Sequence, residues 1–270
     1  MRHLIFTAPH VRDTLLADFA PAALPAVHLI YNTFDGAALS REKSPGAERR
    51  LGLLGFCPKL KNPRLAVEIL EHLLQHDDDW RLVLAGRGPE HYAWLWNRPE
   101  ERAYYEALEE YLAARNLAGF LLRDGWTPDL PGRYAQIGFI LSTSDLEGSH
   151  QVVAEGMAAG CIPVVRRWPG ATEMYQNSQL FDTAREAGDL ILRNSAPADQ
   201  ARLSALSRQE ARERFSLSVI LPQLEQLLLG AQTGSTPVPA ATGARVEAQT
   251  SAGSMARGSP TLAGSGFCPA

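Results

Sequence analysis

The chain has 270 residues, 45% of them hydrophobic and 21% charged, and a formal net charge of −4. A chain of this size and composition buries a sizeable core, and an acidic balance without a basic run argues against a nucleic-acid partner. Its cysteines, Cys57, Cys161 and Cys268, are too few and too scattered for a disulfide framework or a zinc site, and neither a membrane span nor a signal peptide is recognisable.

Apolar runs alternate with helical patterns along most of the chain, and Gly and Pro mark the turns between them. The predicted strands are 3–8, 27–31, 49–56, 80–86, 120–125, 139–144 and 161–165. The predicted helices are 11–19, 62–74, 100–116, 130–135, 149–159, 184–193, 199–215 and 217–229, and two short segments without an assigned type lie at 170–176 and 180–181. Strands that alternate with helices of this length predict right-handed βαβ units, and hence an α/β fold with a doubly wound, Rossmann-like parallel sheet and C-terminal helices.

From Gly230 onward the composition changes. Residues 230–270 are rich in Gly, Ser, Thr, Ala and Pro and have no apolar period. A segment of this kind cannot bury enough apolar surface to offset the entropy that ordering costs. We therefore predict a disordered tail over these residues.

The most informative segment is 144–165, SDLEGSHQVVAEGMAAGCIPVV, which places Glu147 and Glu155 eight positions apart. Gly148 and Ser149 lie at the predicted start of the helix, at the carboxyl end of the preceding strand. Free amide groups at such a helix N-terminus favour a phosphate. Glu155 lies roughly 9 Å further along the helix axis. The two carboxylates therefore suit hydroxyls at the two ends of a sugar diphosphate nucleotide; a helix with an incidental glutamate is the alternative.

This segment resembles the E-x7-E signature of the retaining GT-B glycosyltransferases of the family-4 group, and further motifs follow in the family's order. They are YNTFD (31–35) for "PNGVD", LGLLGFCPKLKNP (51–63) for "GRL…KNP", RLVLAGRGPE (81–90) for "LVLVGDGP", FLLRDGWTPDLPGRY (120–134) for "V.F.G…..L..YY" and WPGATEMY (168–175) for "VGGIPEII". Several ordered matches over about half of the chain are far more specific than one Gly-rich loop.

The resemblance implies a hexosyltransferase-type enzyme of polysaccharide biosynthesis. Such an enzyme transfers a sugar, with retention, from a nucleotide-diphosphate sugar to a glycan or lipid acceptor. The donor is a substrate, so no cofactor is implied. No metal is implied either, since Lys61 and the helix N-terminus take the role of a divalent cation. We expect a cytoplasmic protein without a transmembrane segment, with peripheral contact at the inner membrane face as an alternative.

The resemblance also implies three regions in the chain. Residues 1–47 correspond to a remnant of the family's N-terminal domain and a linker, 48–229 to the nucleotide-sugar donor-binding domain, and 230–270 to the tail. Since the family binds its acceptor mainly on the first domain, we expect the isolated chain to transfer no sugar at a useful rate. It is then either a truncated gene product or works beside a protein partner that supplies that half. A non-catalytic nucleotide-sugar-binding module or subunit is a second hypothesis. A nucleotide-sugar epimerase is a third, although the two-glutamate motif argues against it.

On the phosphate side, the resemblance assigns Lys61, six residues after Gly55, to the donor diphosphate, a role that suits a flexible point charge. A solvated surface lysine is the alternative. The family usually has an arginine directly after the glycine, and Phe56 stands there in this chain. Lys59 lies on the same loop and is a candidate to supply the missing charge. Glu147 is assigned a place beside the donor sugar, and with Lys61 it forms the predicted catalytic pair.

On the nucleoside side, Glu155 matches the family's ribose-binding glutamate, which accepts from two hydroxyls. Gly148, Ser149 and His150 replace the family's frequent "GFG", with backbone amides left to bind phosphate and His150 either donating or packing at the helix start. Two further donor-binding candidates are Gly88, for close backbone approach, and Trp126, for stacking on the nucleobase. A tryptophan that serves only the core or its rim is the alternative for Trp126.

Overall fold

A computed structural model describes the chain at residues 3–19 and 26–233. Its main sheet has six parallel strands in the order β5-β4-β3-β6-β7-β8. This order confirms the predicted doubly wound, Rossmann-like sheet. The strands of the chain are β1 His3–Phe6, β2 Ala26–Leu29, β3 Arg50–Leu54, β4 Arg81–Ala85, β5 Leu121–Asp124, β6 Phe139–Ser142, β7 Ile162–Arg166 and β8 Leu180–Phe181.

Most helices follow the strands as the sequence pattern predicts, with shifts of a few residues at their ends, and α3 is a short helix that the pattern does not predict. They are α1 Pro9–Phe19, α2 Pro63–Leu74, α3 Ala93–Trp96, α4 Pro99–Ala114, α5 Leu130–Ala135, α6 Gln151–Ala158, α7 Ala171–Met174, α8 Ala184–Arg193, α9 Pro197–Phe215 and α10 Leu217–Thr233. Helix α2 shows why these boundaries form: Pro63 occupies its first turn, and the Asn62 side chain accepts a hydrogen bond from the Leu65 amide.

Two apolar cores lie on opposite faces of the main sheet. Successive side chains of a strand point to opposite faces, and here Phe139 and Leu141 enter one core while Ile140 enters the other. Helices α2, α4 and α8 cover the first core, and α5, α6 and α9 cover the second. Burial on both faces explains why these strands read as continuous apolar runs in the sequence.

The order of the strands reverses next to β3. From β3 the chain runs outward to β4 and β5, then returns to β6 on the other side of β3. The chain segments that follow β3 and β6 therefore lead to helices on opposite faces of the sheet, α2 and α6, and leave a crevice at the carboxyl edge of the sheet. In open α/β sheets, ligands bind at such a topological switch point.

The N-terminal strands do not join the main sheet. Strands β1 and β2 pair with each other in parallel, with His3 opposite Ala26, and form a separate two-stranded sheet. At the other end, α10 continues to Thr233 and so extends into the predicted tail. Residues 234–270 lie outside the described part of the chain. The predicted division into three regions and the disordered tail stay predictions.

Helix α10 carries exposed leucines along its length, among them Leu217, Leu221 and Leu228. Across the described ranges, none of the helices combines the length and the apolar character that crossing a bilayer requires.

Candidate functional site

The loops after β3 and β6 are tied together at the switch point. After β3 the chain turns at Gly55, whose φ of 69° favours glycine, and reaches a 3-10 turn at Lys59–Lys61. The Asp145 amide donates to the Leu60 carbonyl at 2.9 Å, and the Thr143 hydroxyl donates to the Lys61 carbonyl at 2.7 Å. These bonds bring Lys61 to the loop that carries Glu147.

Four side chains form what we call the lysine–glutamate cluster: Lys61, Ser144, Glu147 and His150. The Lys61 Nζ lies 2.6 Å from Glu147 Oε1, and the Ser144 hydroxyl donates to the same oxygen at 2.5 Å. The Glu147 side chain is only 9% exposed. Burial by itself would raise the pKa of Glu147, but His150, Lys61 and the hydrogen bonds from Lys61 and Ser144 together lower it. Glu147 is therefore an ionised carboxylate with a fixed orientation.

His150 occupies a strained backbone position in this cluster. Its φ of 36° lies in the left-handed region, where a non-glycine residue is uncommon. The buried ring lies with Nδ1 2.7 Å from Ser142 Oγ and Nε2 3.5 Å from Glu147 Oε1. Burial lowers the pKa of His150 to about 4, so the ring is neutral near pH 7. At that pH Lys61 is the cation that acts on Glu147, and His150 adds charge only in acid.

Helix α6 begins at Gln151, two residues later than predicted from Ser149, because His150 takes the left-handed conformation and becomes the N-cap. Within the described residues the His150 side chain forms no capping hydrogen bond, and the Val153 amide donates to the His150 carbonyl at 3.1 Å. The two amides before Val153, those of Gln151 and Val152, are the first-turn donors that suit another acceptor. Ser149 Oγ accepts from the Asn32 side chain at 2.6 Å. Gly148 is exposed, and apart from its chain neighbours no described residue lies within 4 Å of the position its Cβ would occupy. The helix N-terminus thus opens toward the crevice.

A cavity of about 270 Å³ lies beside α6, and we call it the Glu155 cavity. Glu155 is half-buried at its wall, where Tyr134 donates to Oε2 at 2.9 Å and the Gln151 side chain donates to Oε1 at 2.8 Å. Trp126 is 66% exposed at the rim, and the Arg87 guanidinium lies 5.9 Å from its ring centroid. The lining residues are Leu54, Gly55, Cys57, Ala85, Gly86, Arg87, Tyr92, Gly125, Trp126, Thr127, Leu130, Arg133, Tyr134, Val152 and Glu155.

Two predicted donor-binding residues lie apart from these groups. Gly88 lines a neighbouring cavity of about 560 Å³, which shares Trp126 but not Glu155. Lys59 is half-buried, and its backbone amide donates to Glu101 at 2.8 Å. Phe56, at the position of the family's usual arginine, packs in the first of the two cores rather than facing the crevice. The structure thus brings together Lys61, Glu147 and His150 in the cluster, and Gly55, Trp126 and Glu155 in the Glu155 cavity.

Several side chains of the site carry no local sequence signal. His10 Nε2 lies 2.8 Å from the Glu147 carbonyl although 137 residues separate the two. Asn32 reaches Ser149 from a similar distance along the chain. Tyr134 falls within a recognised motif, but neither the motif nor the spacing of 21 residues links it to Glu155. Only the folded arrangement assigns these residues to the site.

The sequence profile of the family described as "Glycosyl transferases group 1" matches residues 48–202. Among solved structures, Anabaena HepE in complex with UDP and glucose is 17% identical with a TM-score of 0.68, over 84% of this chain and 63% of that one. A glycosyltransferase from Rickettsia africae is 15% identical with a TM-score of 0.72, over 87% of this chain and 64% of that one. Sucrose-phosphate synthase from Thermosynechococcus elongatus is 18% identical with a TM-score of 0.66, over 86% of this chain and 59% of that one.

At these identities the structural matches establish a common fold. The chain spans less than two thirds of the length of each of these three structures. Comparison with curated proteins gives no significant sequence match.

Proposed function

The chain belongs to the family of glycosyl transferases group 1, and on that premise we propose that it is the donor-binding half of a retaining glycosyltransferase. The donor is a nucleotide-diphosphate sugar, and the acceptor is a glycan or lipid. One observation carries the proposal. The topological switch point sets Lys61 and the N-terminus of α6 on the two loops that border the crevice, and the same helix carries Glu155.

The diphosphate binds between Lys61 and the first turn of α6. Amide groups at a helix N-terminus and a lysine ammonium both stabilise phosphate oxygens. Negative charge develops on the departing nucleoside diphosphate, and groups already in place stabilise it without reorganisation. Lys61 is paired with Glu147 at 2.6 Å before any ligand arrives, so the diphosphate shares the ammonium with that carboxylate. Lys61 and the helix N-terminus thereby take the role that a divalent cation plays elsewhere.

The nucleoside lies in the Glu155 cavity. Glu155 accepts hydrogen bonds from the two ribose hydroxyls, which are charge-assisted because the acceptor is ionised. Trp126 is exposed at the cavity rim, where a nucleobase can stack on its indole ring. Gly55 and Gly86 line the same wall and let the ligand approach the backbone closely.

Glu147 faces the donor sugar. Ser144 and Lys61 hold its carboxylate, and its lowered pKa keeps it ionised at neutral pH. An anion in this position accepts from sugar hydroxyls and stabilises the positive charge that develops on the sugar ring. Glu147 and Lys61 are the residues to which we assign catalysis.

The acceptor binds on a second Rossmann-like half. Transfer requires the acceptor held against the anomeric carbon, and such positioning is worth roughly 7–11 kcal/mol. Exposed apolar side chains on α1 and α10, Val11, Leu15, Leu217, Leu221 and Leu228, are the surfaces that we assign to this contact.

Calorimetry with uridine, guanosine and adenosine diphosphates and their common sugars tests the proposal. We expect one nucleoside diphosphate to bind, and Glu155→Ala to cost about 1–3 kcal/mol of affinity, the scale of a hydrogen bond to a charged group. Glu110→Ala, which removes an exposed carboxylate outside both cavities, is the matched control and should leave affinity unchanged. If none of these ligands binds the folded chain, the donor-binding function is wrong.

A further inference from the structure

Tyr134 is a fully buried residue whose hydroxyl reaches the wall of the Glu155 cavity. Its relative exposure is 0%, and its hydroxyl lies 2.9 Å from Glu155 Oε2 and 3.3 Å from the Val152 carbonyl. Both neighbours are acceptors, so the hydroxyl is the donor, and the shorter contact is to the carboxylate. Burial, with the adjacent Glu155 charge, raises the pKa of Tyr134, which keeps the hydroxyl protonated.

The ring of Tyr134 is fully buried, and the backbone that carries it is held at two points. The Tyr134 carbonyl accepts from Lys43 Nζ at 2.9 Å, and α5 begins at an Asp129 cap that accepts from the Gly132 amide. Burial and a fixed backbone leave the ring little freedom to follow a moving carboxylate. On the solvent side, the exposed Gln151 side chain donates to the other carboxylate oxygen at 2.8 Å.

Each oxygen of the Glu155 carboxylate thus receives one hydrogen bond from the protein. A carboxylate offers about four lone-pair sites, so each oxygen keeps one for a ligand. With one oxygen fixed by Tyr134 and the other by Gln151, the remaining lone pairs point in set directions. Two adjacent hydroxyls on one ring are the ligand chemistry that matches such a pair of acceptors.

We propose that Tyr134 is a positioning residue that makes the site selective for a ribose with both hydroxyls free. Gln151 contributes to the same selectivity from the solvent side. This inference rests on the proposed function, because it needs the nucleoside to lie in the Glu155 cavity. It adds a residue that acts through Glu155 without touching the ligand.

The test is the binding of uridine and guanosine diphosphates and of their 2′,3′-dideoxy analogues by calorimetry. The wild-type chain should prefer the ribonucleotide. Tyr134→Phe should weaken ribonucleotide binding about 3- to 10-fold, the range for one hydrogen bond, and leave the dideoxy analogue within about twofold. The selectivity ratio is the decisive readout, since a general loosening of the fold weakens both ligands in proportion.

Tyr105→Phe is the matched control, because Tyr105 is buried, donates to the Phe56 carbonyl at 3.1 Å and lies outside the Glu155 cavity. It should leave the selectivity ratio unchanged. Gln151→Ala removes the second bond from an exposed position and should lower selectivity without affecting folding. A wild-type chain that binds ribo and dideoxy ligands equally overturns both the role of Glu155 and this inference. A wild-type preference that survives Tyr134→Phe and Gln151→Ala overturns the inference alone.

Discussion

The two parts of the site differ in how firmly their side chains are held. In the lysine–glutamate cluster, Glu147 is buried and in contact with Lys61, Ser144 and His150. At the rim of the Glu155 cavity, Trp126 is largely exposed, and the Arg87 guanidinium lies 5.9 Å from its ring centroid. Electrostatic stabilisation is strongest when the charged groups are buried and fixed in position. Stacking on an aromatic ring, in contrast, tolerates small changes in the position of the ring. The difference indicates that the proposed phosphate and sugar side is preorganised and that the proposed nucleobase side is adaptable.

Fixed geometry in the cluster has a conformational cost. His150 holds the left-handed conformation at φ 36°, and a residue in such a region costs of the order of 1–3 kcal/mol. Its ring is buried, so the fold forgoes the hydration of the imidazole as well. Strain of this kind persists where surrounding contacts determine the residue, as the Ser142 and Glu147 contacts do here.

The largest expected effect comes from Lys61→Met, which leaves the Glu147 carboxylate buried without its cation. Removing one partner of a buried ion pair costs about 3 kcal/mol of the free energy of unfolding. Urea denaturation at pH 7 measures the loss. The double variant Lys61→Met, Glu147→Gln should recover most of it, since no uncompensated charge remains.

A surface pair supplies the control for this measurement. Arg202 and Asp199 form an exposed ion pair on α9, and Arg202→Met should change stability by no more than about 0.5 kcal/mol. Equal costs for Lys61→Met and Arg202→Met would show that the cluster is no better organised than an ordinary surface pair.

A smaller effect should follow from the pKa of His150. Between its folded pKa of about 4 and its ordinary value of 6.5, the unfolded chain binds more protons than the folded one. Stability is therefore lost as pH falls through this window, and between pH 7 and pH 5 His150 accounts for roughly 2 kcal/mol. Urea denaturation at both pH values should show this loss in the wild-type chain.

His150→Asn keeps a residue that tolerates the left-handed conformation and removes the titrating group. The variant should lose correspondingly less stability than the wild-type chain on acidification. Glu147 and Lys61 face position 150 in both proteins, so their own pH dependence largely cancels in the comparison. Parallel losses in the two proteins would mean that His150 titrates normally in the folded state.

Most of the fold is predictable from local patterns in this chain. The apolar run before Glu147 and the Gly160 stop predict β6 and α6, because burial on both faces and helix termination leave clear local marks. Strand order is not predictable from local patterns. Alternation predicts parallel βαβ units, but the reversal of order next to β3 depends on packing that no single segment encodes.

The candidate site likewise contains residues that the sequence predicts and contacts that it does not. Glu147 and Lys61 are predictable as a pair because two motifs of one family carry them. The contacts from His10 and Tyr134 are not, because they depend on where distant segments meet after folding. The start of α6 shifts because His150 adopts a conformation typical of glycine, which residue identity alone argues against.

The most direct test of the two-part site compares uridine with uridine diphosphate, or the matching pair for the base that binds, on three variants. Lys61→Ala should cost about 1.5–3 kcal/mol of diphosphate affinity and leave the nucleoside unaffected, since the lysine contacts phosphate only. Trp126→Ala should weaken both ligands by about 1 kcal/mol, since both carry the base. Trp94→Ala, at an exposed tryptophan outside the Glu155 cavity, should change neither. Equal weakening of nucleoside and diphosphate by Lys61→Ala would contradict the account, because Lys61 would then lie outside the phosphate site.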